Sequence, residues 1–318
     1  MPIVTQKNLS ISKKDKNSYK GTYFAQTQGK IQLVKAPDKL IAEEPQAIRP
    51  AVFFVRKVFP YSCRIQIRIG EGWDVMGKER TLVISDIHGC YDAFNRLLER
   101  VNYEPVSDQL ILLGDFVSKG PDSKQVVEQA FHMVRDDGAI AIQGNHDERF
   151  VDIVRNKTKD ARDKFFRHGG RQTVYSYLRG LDMTGSEEDL LARLRETVLE
   201  LYPHHADFLE ELPYYFEDEQ YIYVHAGLNP KYPNWKDQPK RDFLYIKDSF
   251  HKEDTMVDKV VVFGHTKTVD LHGRADVWYG KGKIGIDGGC ASGLQLNALE
   301  IIDSKVRAIS VPARRAVI

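Results

Sequence analysis

Apolar positions are sparse and without period over residues 1–50, where Lys, Gln and Ser are frequent and a single short strand-like run falls at Ile31–Val34. From Ala51 the pattern tightens. Ala51–Val55 reads as a buried strand, and Cys63, Ile65, Ile67 and Ile69 alternate with Arg64, Gln66 and Arg68. That period of two predicts a strand with one buried and one wet face. A Gly70–Gly72 turn and the charged Gly77–Arg80 follow, and a boundary is expected there: residues 1–80 form an N-terminal extension, 81–318 a catalytic domain. Beyond residue 80 the chain repeats strand, loop and helix. Leu82–Ser85 is a strand, and Phe94, Leu97, Leu98 and Val101 share one face of the helix after it. Leu110–Leu113 is a second strand. Pro121 and Asp122 open a helix carrying Val126, Val127, Ala130, Phe131 and Val134, and Ala139–Ile142 is a third strand. Residues 150–212 read as amphipathic helices, and strand signals return at 221–224, 260–263, 283–286, 298–302 and 308–311. Alternating units of this kind predict an α/β fold with helices outside a sheet.

Composition narrows the class of protein only a little. The 318 residues are 42% hydrophobic and 29% charged, ordinary for a globular chain, and the formal net charge of +1 offers no global attraction to nucleic acid or membrane. Cys63, Cys90 and Cys290 are far apart, which argues against a disulfide framework or a Cys-based zinc site. No apolar run is long enough for a signal sequence or a bilayer span. A soluble, cytoplasmic protein is expected.

The chemistry gathers where strands end. Ser85-Asp-Ile-His-Gly89, Gly114-Asp-Phe-Val-Ser-Lys-Gly120, Gly144-Asn-His-Asp147, Val224-His-Ala-Gly227 and Gly264-His-Thr266 each follow a strand. Loops at the carboxyl ends of parallel strands converge on one side of a sheet, so these five present two Asp, one Asn and four His to a shared space. Any one of these motifs alone is weak, since an Asp beside a helix start is usually a cap and a loop His is usually solvated. In order and together, they describe a metal site. Carboxylate, amide oxygen and imidazole without thiolate suit manganese first, with iron, zinc or cobalt as alternatives. Two ions about 3.5–4 Å apart can share a carboxylate and activate water. Four positive charges against two Asp leave a site that attracts phosphate.

At these residues the sequence resembles the phosphoprotein phosphatase superfamily of calcineurin-like metallophosphoesterases, over about residues 81–303. The resemblance implies a β-sandwich flanked by helices on both sides. It also implies Asp86 and His88 on a first metal, Asp115 bridging, Asn145, His225 and His265 on a second, and His146 as general acid. Protein phosphatases carry Asp-Arg where this chain has Ser118-Lys119, and Glu where it has Asp147. These departures resemble the ApaH-like phosphatases, whose activities on dinucleoside polyphosphates, polyphosphate and capped RNA all concern phosphoanhydride bonds. A phosphorylated small molecule or polyanion, the 5′ end of an RNA included, is therefore the expected partner. Lys119, and Lys247 in place of an Arg of relatives, would bind phosphate.

The physical consequences point the same way. Lysine is a point charge on a flexible stem, whereas arginine grips one phosphate bidentately. Ser118 cannot give a catalytic imidazole the charge of the missing Asp, which matters less when the leaving group is itself a phosphate. Arg155 to Arg171 is rich in Lys and Arg and reads either as a solvated helix face or as an approach path for a polyanion. Two rival functions remain open: a phosphoserine/threonine phosphatase, and an inactive polyanion-binding scaffold, against which the complete ligand set counts.

Overall fold

The computed structural model describes residues 78–156 and 161–314, together with the backbone of five strands before them. The chain divides into two compact units, Met1–Phe53 and Phe54–Ile318. In the first, β1 (Ile11–Lys13), β2 (Tyr19–Thr27) and β3 (Lys30–Lys35) form an antiparallel sheet. In the second, β4 (Ile65–Ile69) and β5 (Gly72–Met76) make a hairpin whose first strand is the alternating Ile65/Ile67/Ile69 run. The strand expected at Ala51–Val55 lies outside the described residues.

The remainder of the second unit holds two five-stranded sheets. One has the order β15-β14-β6-β7-β8, from Lys305–Pro312, Gln295–Ile302, Arg80–Ile84, Asp108–Leu112 and Ile140–Ala141. The other has the order β12-β13-β11-β10-β9, from Trp278–Gly280, Lys283–Gly285, Val260–Phe263, Tyr221–Val224 and Tyr215–Glu217. Both are mixed: β6, β7 and β8 run parallel, as do β10, β11 and β13, with antiparallel strands outside them.

Side-chain alternation explains why the central strands read as continuous apolar runs. Leu82, Ile84, Leu110 and Leu112 point to one face, where helices α1 (Tyr91–Arg100) and α2 (Ser123–Asp137) cover them. Val83, Ile111, Leu113 and Ile142 point to the other and meet Tyr223, Val262, Ile284 and Ile286 of the second sheet. A strand buried on both faces has no polar positions to alternate with. The helical middle of the chain comprises α3 (Asn145–Val154), α4 (Ala161–Arg167), α5 (Gly170–Tyr177), α6 (Glu187–Leu201) and α7 (Pro203–Glu211), whose apolar faces join the first cluster. Three short helices, α8 (Lys240–Tyr245), α9 (Asp248–Lys252) and α10 (Thr268–His272), complete the chain. Phe243 and Phe250, from α8 and α9, pack with Ile222, Val224, Val261 and Phe263 on the outer face of the second sheet. The architecture is the expected sandwich with helices on both sides. Among the described residues no helix is long and apolar enough to cross a membrane.

Candidate metal centre

Five strand ends and the backbone between them build the site. Asp86 N donates to Gly114 O (3.2 Å) and His88 N to Asp115 O (2.8 Å), stitching the loop after β6 to the loop after β7. His146 N donates to Asp115 Oδ1 (2.8 Å), adding the start of α3. Gly264 N donates to His225 O (2.8 Å), and His265 N reaches Asp86 Oδ2 (2.9 Å), joining the second sheet to the first. A Cβ on Gly264 would lie 1.9 Å from Ser85 Oγ and 2.2 Å from Asp86 Oδ2, so only glycine lets the two loops approach this closely. Asp86, His88, Asp115, Ser118, Lys119 and His265 all have positive φ, between 47° and 73°, a region where a Cβ is unfavourable. Strain concentrated on these clustered residues is held in place by the surrounding structure.

Asp147, at the place where the family's protein phosphatases carry Glu, shows how that holding works. It is fully buried and accepts from the backbone N–H groups of Asp115 (2.7 Å), Phe116 (2.9 Å) and Gly144 (2.9 Å). Burial and the Asp115 charge push its carboxyl up to about 7, against the three N–H donors that favour the ionised form.

The ring nitrogens are oriented as ligands would be. His88 Nδ1 lies 2.8 Å from Val117 O and His225 Nδ1 2.8 Å from Leu113 O, so in each the Nε2 lone pair faces inward. His88 Nε2 is 3.8 Å from Asp86 Oδ1 and 3.3 Å from Asp115 Oδ2, while His225 Nε2 is 3.5 Å from Asp115 Oδ1. Burial holds His88, His146 and His265 below the usual histidine range. Burial pushes Asp115 up, but His225, His146, His88 and Lys119 outweigh it and hold the carboxyl well below its ordinary value. Asp115 thus belongs to two sets of metal-capable groups, one with His88 and His146, the other with His225 and His265.

Whether the residues fit cations can be judged at Asn145. Its Oδ1 lies 3.0 Å from both His225 Nε2 and His265 Nδ1, three acceptors facing one another with no proton between them. A cation satisfies all three. Turned about its amide, Asn145 would instead donate to both rings and accept from Arg149 (3.0 and 3.1 Å).

The two lysines differ in place. Lys119 Nζ is 2.7 Å from His88 Nε2, and its backbone N donates to Gly169 O (2.9 Å). Lys247 caps the start of α9, near enough for its charge to depress His265. His146 lies 4.0 Å (Nε2) from Asp115 Oδ2, and its buried Nδ1 has no hydrogen-bond partner, as replacement of a carboxylate by Ser118 implies. Ser118 N donates to Thr173 Oγ1 instead (2.9 Å).

Arg149 went unnoticed in the sequence. It follows Asn145 by four residues and His146 by three, a spacing that makes it a neighbour of each, one turn along α3. Its guanidinium lies 5.3 Å from the Tyr245 ring centroid, and Tyr245 donates to Glu148 Oε2 (2.8 Å). The basic segment is largely neutralised where it is described. Arg155 pairs with Asp207 and Glu210, Arg162 with Asp163 and Glu188, and Arg171 with Glu187.

The chain belongs to the calcineurin-like phosphoesterase family, which it matches over residues 79–284. It is a metallophosphoesterase, and the family implies two divalent metals beside the His and Asp clusters found here. Among curated relatives, the asymmetrical bis(5′-nucleosyl)-tetraphosphatase PrpE of Anoxybacillus flavithermus is 25% identical over 254 residues, covering 73% of this chain and 93% of its own. A symmetrical bis(5′-nucleosyl)-tetraphosphatase of Baumannia cicadellinicola is 28% identical over 279 residues, 74% of this chain and 93% of its own. The solved structure of a candidate diadenosine tetraphosphatase shares the fold, with TM-score 0.52 and 24% identity, covering 75% of this chain and 96% of that one.

Proposed function

We propose that the protein hydrolyses phosphoanhydride bonds in dinucleoside polyphosphates, with Asp86, His88 and Asp115 holding one divalent cation and Asp115, Asn145, His225 and His265 a second. Manganese is the proposed pair, in keeping with a donor set of carboxylate, amide and imidazole. A reducing cytoplasmic setting belongs to the same reading and agrees with Cys90 and Cys290 being free thiols. When bound, the cations lower the pKa of water and neutralise phosphate charge. The chain's own residues do the rest. The Lys119 ammonium, beside His88, meets an equatorial phosphate oxygen, and Lys247 receives a further phosphate of the same chain. His146 delivers a proton to the leaving oxygen.

One observation supports the anhydride over the phosphoserine ester: His146 Nδ1 is buried without a carboxylate partner. An imidazole with no carboxylate on its far nitrogen is a poor reservoir for a proton, and burial outweighs the Asp115 charge and holds this ring well below the usual range. A serine alkoxide needs that proton in the transition state far more than a departing phosphate does. Names of relatives that act on nucleosyl tetraphosphates support the same substrate class.

Steady-state hydrolysis of diadenosine tetraphosphate, polyphosphate, capped RNA and a phosphoserine peptide tests the reading. The expected order has the dinucleotide first and the peptide last. A phosphoserine peptide in first place would overturn it, and capped RNA in first place would move the substrate to RNA 5′ ends. Product nucleotides report the bond cut: two ADP for symmetrical cleavage, ATP and AMP for asymmetrical.

A further inference from the structure

Three of the chain's ten histidines gather around one carboxylate on the helices, sharing no residue with the site above. Glu128, in α2, lies with Oε2 2.8 Å from His205 Nε2 and 3.4 Å from His204 Nε2, both on α7. Its Oε1 is 3.0 Å from Nε2 of His132, one turn further along α2. Ligand atoms of Glu128, His204 and His205 all fall within 4.8 Å of one another.

The groups behind these rings match what holds a metal-binding histidine. Tyr177 OH bonds His205 Nδ1 (2.8 Å), fixing the ring so that Nε2 faces Glu128. His132 Nδ1 lies 3.1 Å from Asp136 Oδ2 and 2.9 Å from the Arg135 guanidinium, which also pairs with Asp136 (2.9 Å), so the far side of this ring is held by both. A hydrogen bond on the far nitrogen sets the tautomer and basicity of a ligating imidazole. Lys124 is the opposing charge nearby, and its ammonium rests on Tyr202 OH (3.3 Å).

We propose that Glu128, His204 and His205, with His132 or water completing the set, bind a divalent transition-metal ion of the zinc type, separate from the dinuclear centre. Imidazole and carboxylate bind zinc at about 2.0–2.2 Å, which places ligand atoms of a tetrahedral site roughly 3.4 Å apart. The His204–Glu128 separation of 3.4 Å already matches, and His205 need only open from 2.8 Å. Hard cations such as magnesium or calcium prefer all-oxygen sets and are disfavoured here. To take a cation, the His205 proton must sit on Nδ1, where the Tyr177 hydroxyl oxygen can accept it, leaving the Nε2 lone pair facing Glu128. The ion would tie α2, which begins just after the Lys119 loop, to α7, whose Leu209 carbonyl accepts from Gln143 Nε2 (2.6 Å), two residues before Asn145. It is a staple across the two helices that flank the catalytic loops.

The test is metal counting on the full-length chain by equilibrium dialysis against zinc, with thermal unfolding in parallel. Glu128 and His204 are about a third or more exposed, so Glu128→Gln with His204→Ala should fold. Wild type is expected to bind one more zinc per chain than this variant and to show a larger zinc-induced rise in Tm. Manganese-supported hydrolysis should be equal in the two. His132→Ala alone should weaken the additional zinc without abolishing it if a water can replace the ring. Equal zinc content and equal Tm shifts in wild type and the double variant would reduce the cluster to a hydrogen-bonded helix contact. Failure of the dinuclear reading would lower both totals alike and leave the difference of one intact.

Discussion

Two histidine clusters in this molecule are built in opposite ways. Around Asp115 the side chains ride on loops at strand ends, with positive φ at Asp86, His88, Asp115 and His265 and with glycines where the loops meet. Around Glu128 they ride on the regular backbone of α2 and α7, and none of the four residues has a positive φ. A helix offers ligands only where its regular backbone sets them, Glu128 and His132 at i, i+4 on α2 and the adjacent His204 and His205 on the first turn of α7. Strand-end loops can turn six side chains from five segments toward one small volume, at the cost of local strain that interloop hydrogen bonds must hold. The Asp115 cluster should therefore be intolerant of backbone and side-chain change, whereas the Glu128 cluster should lose its ion without losing the fold.

The largest expected effect breaks the first cluster at its shared member. Asp115→Asn should lower kcat by about 10³-fold or more, since one change removes a charge that both halves of the site use. Metal content measured on the same sample should fall by at least one ion. If the variant keeps full activity, Asp115 is not shared.

Next in size is the backbone. Gly264→Ala places a Cβ where Ser85 Oγ and Asp86 Oδ2 already lie. A loss of ~1–3 kcal/mol in stability is expected from such overpacking. It should come with a fall in activity, read by chemical denaturation and by steady-state rates. A fully active Gly264→Ala enzyme would mean that the loops are looser than the contact distances indicate.

His146→Ala should separate acid from ligand. Metal content is expected to stay at the wild-type level while kcat for a phosphate ester with a poor leaving group falls by ~10²-fold. The fall should be smaller for an anhydride. Loss of metal from this variant would place His146 among the ligands, beside His88 and Asp115.

The smallest effect lies outside both clusters. Burial, with Lys283, Lys247 and Lys252 nearby and only Asp248 opposing, pushes His251 down to about 4 from an ordinary value of 6.5. Its folded-state value lies below its unfolded one, so between these pH values the unfolded chain takes up the proton first. Its contribution to stability is complete above pH ~6.5 and is lost as pH falls toward ~4. His251→Phe should flatten that part of the stability–pH curve, and an unchanged slope would exclude His251 as its source.

What the sequence made legible follows the same division. Long apolar strands such as β6, β7, β10 and β11 and the amphipathic α1 and α2 were all evident, because burial on one or both faces leaves a period. The edge strands β9 (Tyr215–Glu217) and β12 (Trp278–Gly280) were not: each has three residues, too few for alternation to register. The helices α8, α9 and α10 span five or six residues and were likewise hidden. Around Asp115, the ligand-type residues announce themselves because each follows a strand and sits beside glycine. The cradle does not. Asp147 was visible only as a departure from a family pattern, with no sign that three backbone N–H groups converge on it. Arg149 looked like any helix-surface charge. Around Glu128, only His132 at i+4 was within local reach, since His204 and His205 approach from 76 and 77 residues away. Pairing between α2 and α7 is a tertiary fact that no local pattern carries.

The central claim is that this site is tuned for anhydrides by Ser118 and Lys119. The direct measurement is the ratio of kcat/KM for diadenosine tetraphosphate to that for a phosphoserine peptide, in wild type and in Ser118→Asp with Lys119→Arg. The two changes are made together because neighbours at one site need not act additively. The ratio should exceed one in wild type and fall in the double variant, as the new carboxylate supports His146 and the guanidinium grips a single phosphate. A wild-type ratio below one would contradict the claim and make this a protein phosphatase in kind, while the metal assignment would stand.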